Sequence, residues 1–92
     1  MITSPCPQVV ATLDHRVLTL TLNRPERKNA LTLAMYSALA ELIAEANKLS
    51  EIRVIVLTGS DESFTAGNDL ADFMNEPEIH PNHPVVRFID AL

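Results

Sequence analysis

The 92-residue sequence holds one cysteine, two glycines, no tryptophan and only 4% aromatic residues. The single thiol, Cys6, excludes an intrachain disulfide and a cysteine-rich metal site within the chain, and fits a reducing, cytoplasmic setting. Basic residues are also scarce. Seven Lys and Arg stand against twelve Asp and Glu, for a net charge of −5, and the longest basic run is the pair Arg27-Lys28. Nucleic acid and anionic membrane surfaces call for a dense positive patch, so neither is expected as a partner. No stretch approaches the roughly 18 consecutive apolar residues of a membrane span. Residues 1–7 (Met1-Ile2-Thr3-Ser4-Pro5-Cys6-Pro7) have neither a basic segment nor a continuous apolar one, so nothing marks export. This tail is expected to be flexible.

What remains is the composition of a foldable chain, 47% hydrophobic and 21% charged, not that of a disordered tail. A chain of this length suits one small domain that buries roughly 60 to 68 per cent of its unfolded surface, so the core will be thin. Residues 8–13 and 16–22 are rich in Val, Leu and Thr, and Asp14-His15 between them reads as the turn of a β-hairpin. In the second strand Leu18, Leu20 and Leu22 alternate with Val17, Thr19 and Thr21, the period of a strand with one buried face. Asn23-Arg24-Pro25 ends it, because proline has no N–H for a ladder.

Thr32 reads as the N-cap of a helix reaching about Leu49, with Met35, Leu39, Leu42, Ile43 and Ala46 at helical spacing. Residues 52–58, I-R-V-I-V-L-T, form a short β-branched run of the kind covered on both faces. Strand, helix, strand in this order predicts a parallel pair with a right-handed crossover. Residues 59–63 are a polar turn, and Asp69 to Asn75 predicts a short helix with Asp69 in its first turn. Residues 76–84 hold Pro77, Pro81 and Pro84 and read as an extended loop. Val85, Phe88, Ile89 and Leu92 then open an amphipathic helix that meets no cap, glycine or polar tail, which predicts that the element continues past Leu92.

The segment Phe64-Thr65-Ala66-Gly67-Asn68-Asp69-Leu70 joins a strand to a helix. There the N–H groups of Gly67, Asn68 and Asp69 would lack intrahelical acceptors and would suit an anionic oxygen. Glycine serves such a turn by adopting positive φ or by letting a ligand approach closely. The pattern alone leaves open a plain strand-to-helix turn with no ligand. His80 and His83 lie in the proline-rich loop with no third ligand nearby, and read as solvent-exposed loop histidines in preference to a metal site. Ser60 and Ser63 lack the setting of a nucleophile elbow and read as turn residues. Tyr36 reads as helix packing, and Cys6, with no base beside it, as a free structural thiol.

Two blocks, L-T-L-N-R-P-E-R-K-N-A-L at Leu20 to Leu31 and V-I-V-L-T-G with F-T-A-G-N-D-L across Val54 to Leu70, resemble the N-terminal part of the crotonase superfamily, the enoyl-CoA hydratase/isomerase family. The similarity runs from about Val9 to Phe73. It implies an α/β fold, the opening of a ββα spiral, in which 1–92 is a single partial domain: a tail at 1–7, a crotonase-like core at 8–75, a proline-rich loop at 76–84 and a helix start at 85–92. It also implies an acyl-CoA or enoyl-CoA thioester substrate whose carbonyl is polarised by two backbone N–H groups.

By this resemblance the residue after the glycine supplies one of those donors, here the backbone N–H of Asn68. Ala66, Gly67, Asp69 and Leu70 would line the same acyl-CoA site, while Arg27, Lys28 and Ala30 would contact the coenzyme A, the two cations near its adenine or phosphates. No cofactor is implied beyond the coenzyme A of the substrate, and full-length relatives form trimers or dimers of trimers. G-N-D-L followed by Ala71-Asp72-Phe73 resembles Δ3,Δ2-enoyl-CoA isomerases more than hydratases. The second donor and the catalytic glutamates of the family lie downstream of Leu92, so the 92 residues alone are expected to be inactive. A short non-catalytic module that keeps the coenzyme A or subunit-contact surface is the alternative.

Overall fold

A computed structural model describes residues 2–60 and 62–92. Met1 and Asp61, at one end of the expected tail and inside the turn 59–63, lie outside the described residues. Strands β1 (Val9–Asp14) and β2 (Val17–Leu22) pair antiparallel, with Val9 opposite Leu22 and Asp14 opposite Val17. Their turn is His15-Arg16, one residue later than the Asp14-His15 turn read from the sequence. Both residues have positive φ, 48° and 67°, and two left-handed residues in succession give the twist that keeps short hairpin strands in register.

Strand β3 (Val54–Gly59) runs parallel to β2, Val17 facing Val54 and Leu22 facing Gly59, in the sheet order β1-β2-β3. Helix α1 (Leu33–Ala46) fills the crossover that a parallel pair requires. The Thr32 hydroxyl accepts from the Met35 N–H at 3.1 Å, as its position before the apolar pattern predicts. The helix ends at Ala46, short of Leu49, because the N–H groups of Lys48 and Leu49 bond three residues back, to Glu45 and Ala46. That tighter turn closes the element.

The core lies between α1 and one face of the sheet. Val9, Leu18, Leu20 and Leu22 meet Met35, Ala38, Leu39, Leu42, Ile43 and Ala46, all buried. Each fully buried leucine contributes about 1.5 to 3 kcal/mol by leaving water. Strand β3 departs from the reading of a strand covered on both faces. Ile55 and Leu57 pack against the core, but Val54 and Val56 are 50% and 40% exposed. The physical reason is the two-layer arrangement: α1 covers one face of the sheet, and the Val54 and Val56 face is open to solvent.

Helix α2 (Leu70–Phe73) is a single turn, and Asp69 is its N-cap, one position ahead of the first turn expected from sequence. Helix α3 (Pro84–Ala91) starts with proline at its first position, where no N–H is needed. It packs along α1, the Phe88 ring standing edge-on to Tyr36 with centroids 5.5 Å apart.

Candidate functional site

The turn after β3 is built around Gly67, whose φ is +98°. Apart from Gly67 and its chain neighbours, no heavy atom of the described residues lies within 4 Å of the place its Cβ would occupy. Of the two uses of glycine, the positive φ is therefore the one this chain requires. Thr65 donates its hydroxyl to the Asn29 carbonyl at 2.6 Å and accepts the Gly67 N–H at 3.1 Å. Leu31 then grips the turn on both sides of Asn68: its N–H donates to the Gly67 carbonyl at 2.7 Å, and its carbonyl accepts the Asp69 N–H at 2.8 Å.

That pattern is a single parallel bridge between Leu31 and Asn68. In such a bridge the central residue's own N–H and carbonyl face away from the partner strand. The Asn68 N–H accordingly donates no hydrogen bond among the described residues. The sequence offered three free donors, at 67, 68 and 69. The structure engages two and leaves the middle one.

Beneath the turn sits Asn29, fully buried with φ 60°. Its Oδ1 accepts from the Arg24 N–H at 2.8 Å, and its Nδ2 donates to the carbonyls of Ser60 and Ser63 at 3.1 and 2.8 Å. One amide therefore ties the Arg24 to Leu31 loop to the segment after β3. Sequence reasoning passed over Asn29. The available signal was an asparagine next to Lys28 just past a proline-led turn, where left-handed φ favours Asn, but nothing local announced its burial.

Arg24 is not a solvated loop cation. Its Nη1 donates to Asp69 Oδ2 at 2.8 Å and to the Ala30 carbonyl at 3.1 Å, with both charged side chains less than one-fifth exposed. The other Asp69 oxygen accepts the Asp72 N–H at 3.0 Å, capping α2. Asp72 in turn accepts the Leu33 N–H at 2.7 Å, tying α2 to the start of α1.

The Asp72 N–H first, and the Arg24 guanidinium second, hold the Asp69 carboxyl below its ordinary value of 3.8. A carboxylate with a depressed folded pKa contributes stability that is present above that ordinary value and lost as pH falls through the folded one. Asp69→Asn keeps a capping oxygen but loses the charge. Its thermal midpoint is therefore expected to lie below that of the unaltered protein at pH 7, with the gap closing as the pH falls below 3.8. Thermal denaturation from pH 7 to 2.5 checks this, and a gap independent of pH would contradict it.

Around the free N–H, Ala66 and Leu70 are exposed, Leu70 by 77%, while Ala30 is half-buried. Arg27 and Lys28 are both exposed. Lys28 borders a cleft of about 160 Å³ with Pro25, Asn29, Ser60, Glu62 and Ser63, whereas Arg27 does not line it.

Tyr36 does more than pack. Its hydroxyl donates to Asn68 Oδ1 at 2.6 Å, and burial pushes its phenol pKa up. His80 is exposed as expected, but His83 is fully buried. It folds inward because Nδ1 accepts the Val85 N–H at 3.2 Å, capping α3, and Nε2 lies 2.9 Å from the Glu76 carbonyl. Among the described residues no three His, Cys, Asp or Glu side chains converge on a metal position.

A family profile described as enoyl-CoA hydratase/isomerase matches residues 12–89. The chain belongs to the enoyl-CoA hydratase/isomerase family. It is similar to 1,2-epoxyphenylacetyl-CoA isomerase of Escherichia coli K12, with 39% identity over 69 residues that cover 75% of this chain and 26% of that protein. The mouse mitochondrial Delta(3,5)-Delta(2,4)-dienoyl-CoA isomerase is 39% identical over 69 residues, covering 75% of this chain and 21% of that one.

The structure of OdaA from Pseudomonas aeruginosa superimposes with a TM-score of 0.88 and 42% identity, over 94% of this chain and 35% of that chain. The chain thus spans about a quarter of the length of these curated relatives and matches their N-terminal part. The α/β fold expected from the sequence is the one these crotonase-type proteins share.

Proposed function

We propose that the protein carrying this chain binds an acyl-CoA thioester and stabilises the enolate oxyanion of its substrate through the backbone N–H of Asn68. The observation that carries the reading is this N–H, which has no acceptor among the described residues, in a turn clamped on both sides by Leu31. A donor fixed before charge develops costs no reorganisation when the carbonyl oxygen becomes anionic, and one such donor is worth about 3 kcal/mol of transition-state stabilisation. Exposed Ala66 and Leu70 flank the donor as apolar walls for the acyl chain, and Gly67 shapes the turn. Asp69, whose carboxylate is engaged by Arg24 and Asp72, contributes through the backbone that it holds.

Lys28, at the cleft beside Ser60 and Ser63, together with Arg27 and the Ala30 backbone, forms the coenzyme A side of the site. Both curated relatives described above are isomerases, and one of them, the dienoyl-CoA isomerase, supports double-bond isomerisation as the reaction class. The reading includes a cytoplasmic homo-oligomer, trimer or hexamer, that uses no cofactor besides the coenzyme A of its substrate. A 3-enoyl-CoA assay of the full protein is expected to show isomerisation, and residues 1–92 alone to show none, since one donor without its partner and a proton-transfer group does not complete the site. Acyl-CoA binding without any turnover by the full protein would sink the enzyme and leave the non-catalytic binding module. Turnover by residues 1–92 would contradict the division of the site.

A further inference from the structure

Asn68 is held from two directions that share no atoms. Leu31 fixes its backbone through the flanking Gly67 carbonyl and Asp69 N–H. Its side chain is exposed at the surface, yet Oδ1 is bound by the hydroxyl of Tyr36, a residue 32 positions earlier on the first turn of α1. At 2.6 Å this is a short O–H···O hydrogen bond. Tyr36 itself has little freedom: it is 9% exposed, and Phe88 of α3 stands edge-on against its ring at 61°. Burial disfavours the phenolate, so the hydroxyl stays a donor.

At the Tyr36 end the bond satisfies the hydroxyl of a buried residue, but at the Asn68 end it is not needed for solvation, because that exposed amide would otherwise be satisfied by water. Its physical effect is to select one side-chain rotamer of Asn68. The same bond resists rocking of the peptide that carries the Asn68 N–H, on the edge Leu31 does not grip.

We infer that Tyr36 is a positioning residue, whose hydroxyl, steadied by Phe88, holds Asn68 so that its backbone N–H keeps one direction toward the thioester oxygen. The inference rests on the proposed role of that N–H and adds a residue on α1 to it. The consequence is a linkage between α3 and the donor: Phe88 braces Tyr36, and Tyr36 braces Asn68.

The test compares Tyr36→Phe, Asn68→Ala, their double variant and Asn68→Pro in the full protein, by kcat and KM with a 3-enoyl-CoA. Phe preserves the ring and its contact with Phe88 and deletes only the hydroxyl. A net hydrogen bond of ordinary strength corresponds to about a three- to tenfold effect. Tyr36→Phe is expected to lower kcat by about that factor while KM moves less than about twofold, because a loosened donor is missed mainly where charge has developed. Asn68→Ala should lose about the same, and the double variant no more than either single one, as for two ends of one contact.

A Tyr36→Phe protein with unchanged kcat would overturn the inference. Losses that multiply in the double variant would do the same, and so would a lowered thermal midpoint with kinetics intact, which marks a purely structural bond. If Tyr36→Phe is silent while Asn68→Pro is inactive, only the positioning role fails. If Asn68→Pro retains full activity, the oxyanion reading fails and this inference with it.

Discussion

Asn68→Pro in the full protein is expected to reduce kcat by about two to three orders of magnitude, the range observed when one oxyanion donor is removed. The substitution deletes a single N–H that donates no hydrogen bond among the described residues, since the bridge to Leu31 uses the Gly67 carbonyl and the Asp69 N–H, and it also removes the Oδ1 that accepts from Tyr36, a loss that Asn68→Ala shares. Proline restricts the residue before it, but that residue is Gly67, which already occupies a conformation open to glycine. Circular dichroism and the thermal midpoint should therefore stay near those of Asn68→Ala while turnover collapses. Asn68→Ala keeps the N–H and removes only the side chain, so its loss should be far smaller. Equal losses in the two variants would mean that the amide side chain, not the backbone, meets the substrate.

Gly59→Ala should act on the fold itself. A Cβ at Gly59 would stand 2.5 Å from the Cα and carbonyl oxygen of Phe64, and closer still to the carbonyl oxygen of Ser63. These are backbone atoms of the segment leading to the Gly67 turn, and they have no side-chain rotamer to yield. The Ser63 carbonyl is also bound by buried Asn29, so displacing it breaks that bond as well. The expected cost is about 3 kcal/mol or more, a large share of the stability of a small domain. It would show as a lower midpoint in urea and heat.

Gly67→Ala makes the contrast. Its Cβ would meet open space, so only the left-handed backbone resists it, at about 1 to 2 kcal/mol. Gly67→Ala proving the more damaging of the two would contradict this assignment of steric and conformational roles.

The elements carried by periodic patterns were legible from the residues alone. Leu18, Leu20 and Leu22 announced β2, and the Thr32 cap with Met35, Leu39, Leu42 and Ile43 announced α1, because alternation and helical spacing are local properties. The Gly67 turn was also legible, since the chain has only two glycines to place. What escaped depends on contacts distant in sequence. Arg24 meets Asp69 across 45 positions and Tyr36 meets Asn68 across 32.

No pattern around Arg24 or Tyr36 distinguishes those roles from a solvated cation or a packed ring. Burial of Asn29 and His83 was hidden for the same reason: each polar side chain goes inside only because backbone groups of another segment receive it. The solvent-facing side of β3 escaped for the opposite reason. Val54 and Val56 carry the chemistry of a covered strand, while the helix in the described fold covers only the other face.

The most direct test of the oxyanion assignment is the carbonyl stretch of an acyl-CoA labelled with carbon-13 at the thioester carbon, recorded by difference infrared spectroscopy on the full protein. Hydrogen bonding from a fixed donor polarises the carbonyl, so the stretch of the bound thioester is predicted to fall below that of the free ligand and to move back toward it in Asn68→Pro. A bound carbonyl with the free-ligand frequency, or one shifted equally in Asn68→Pro, would contradict the account.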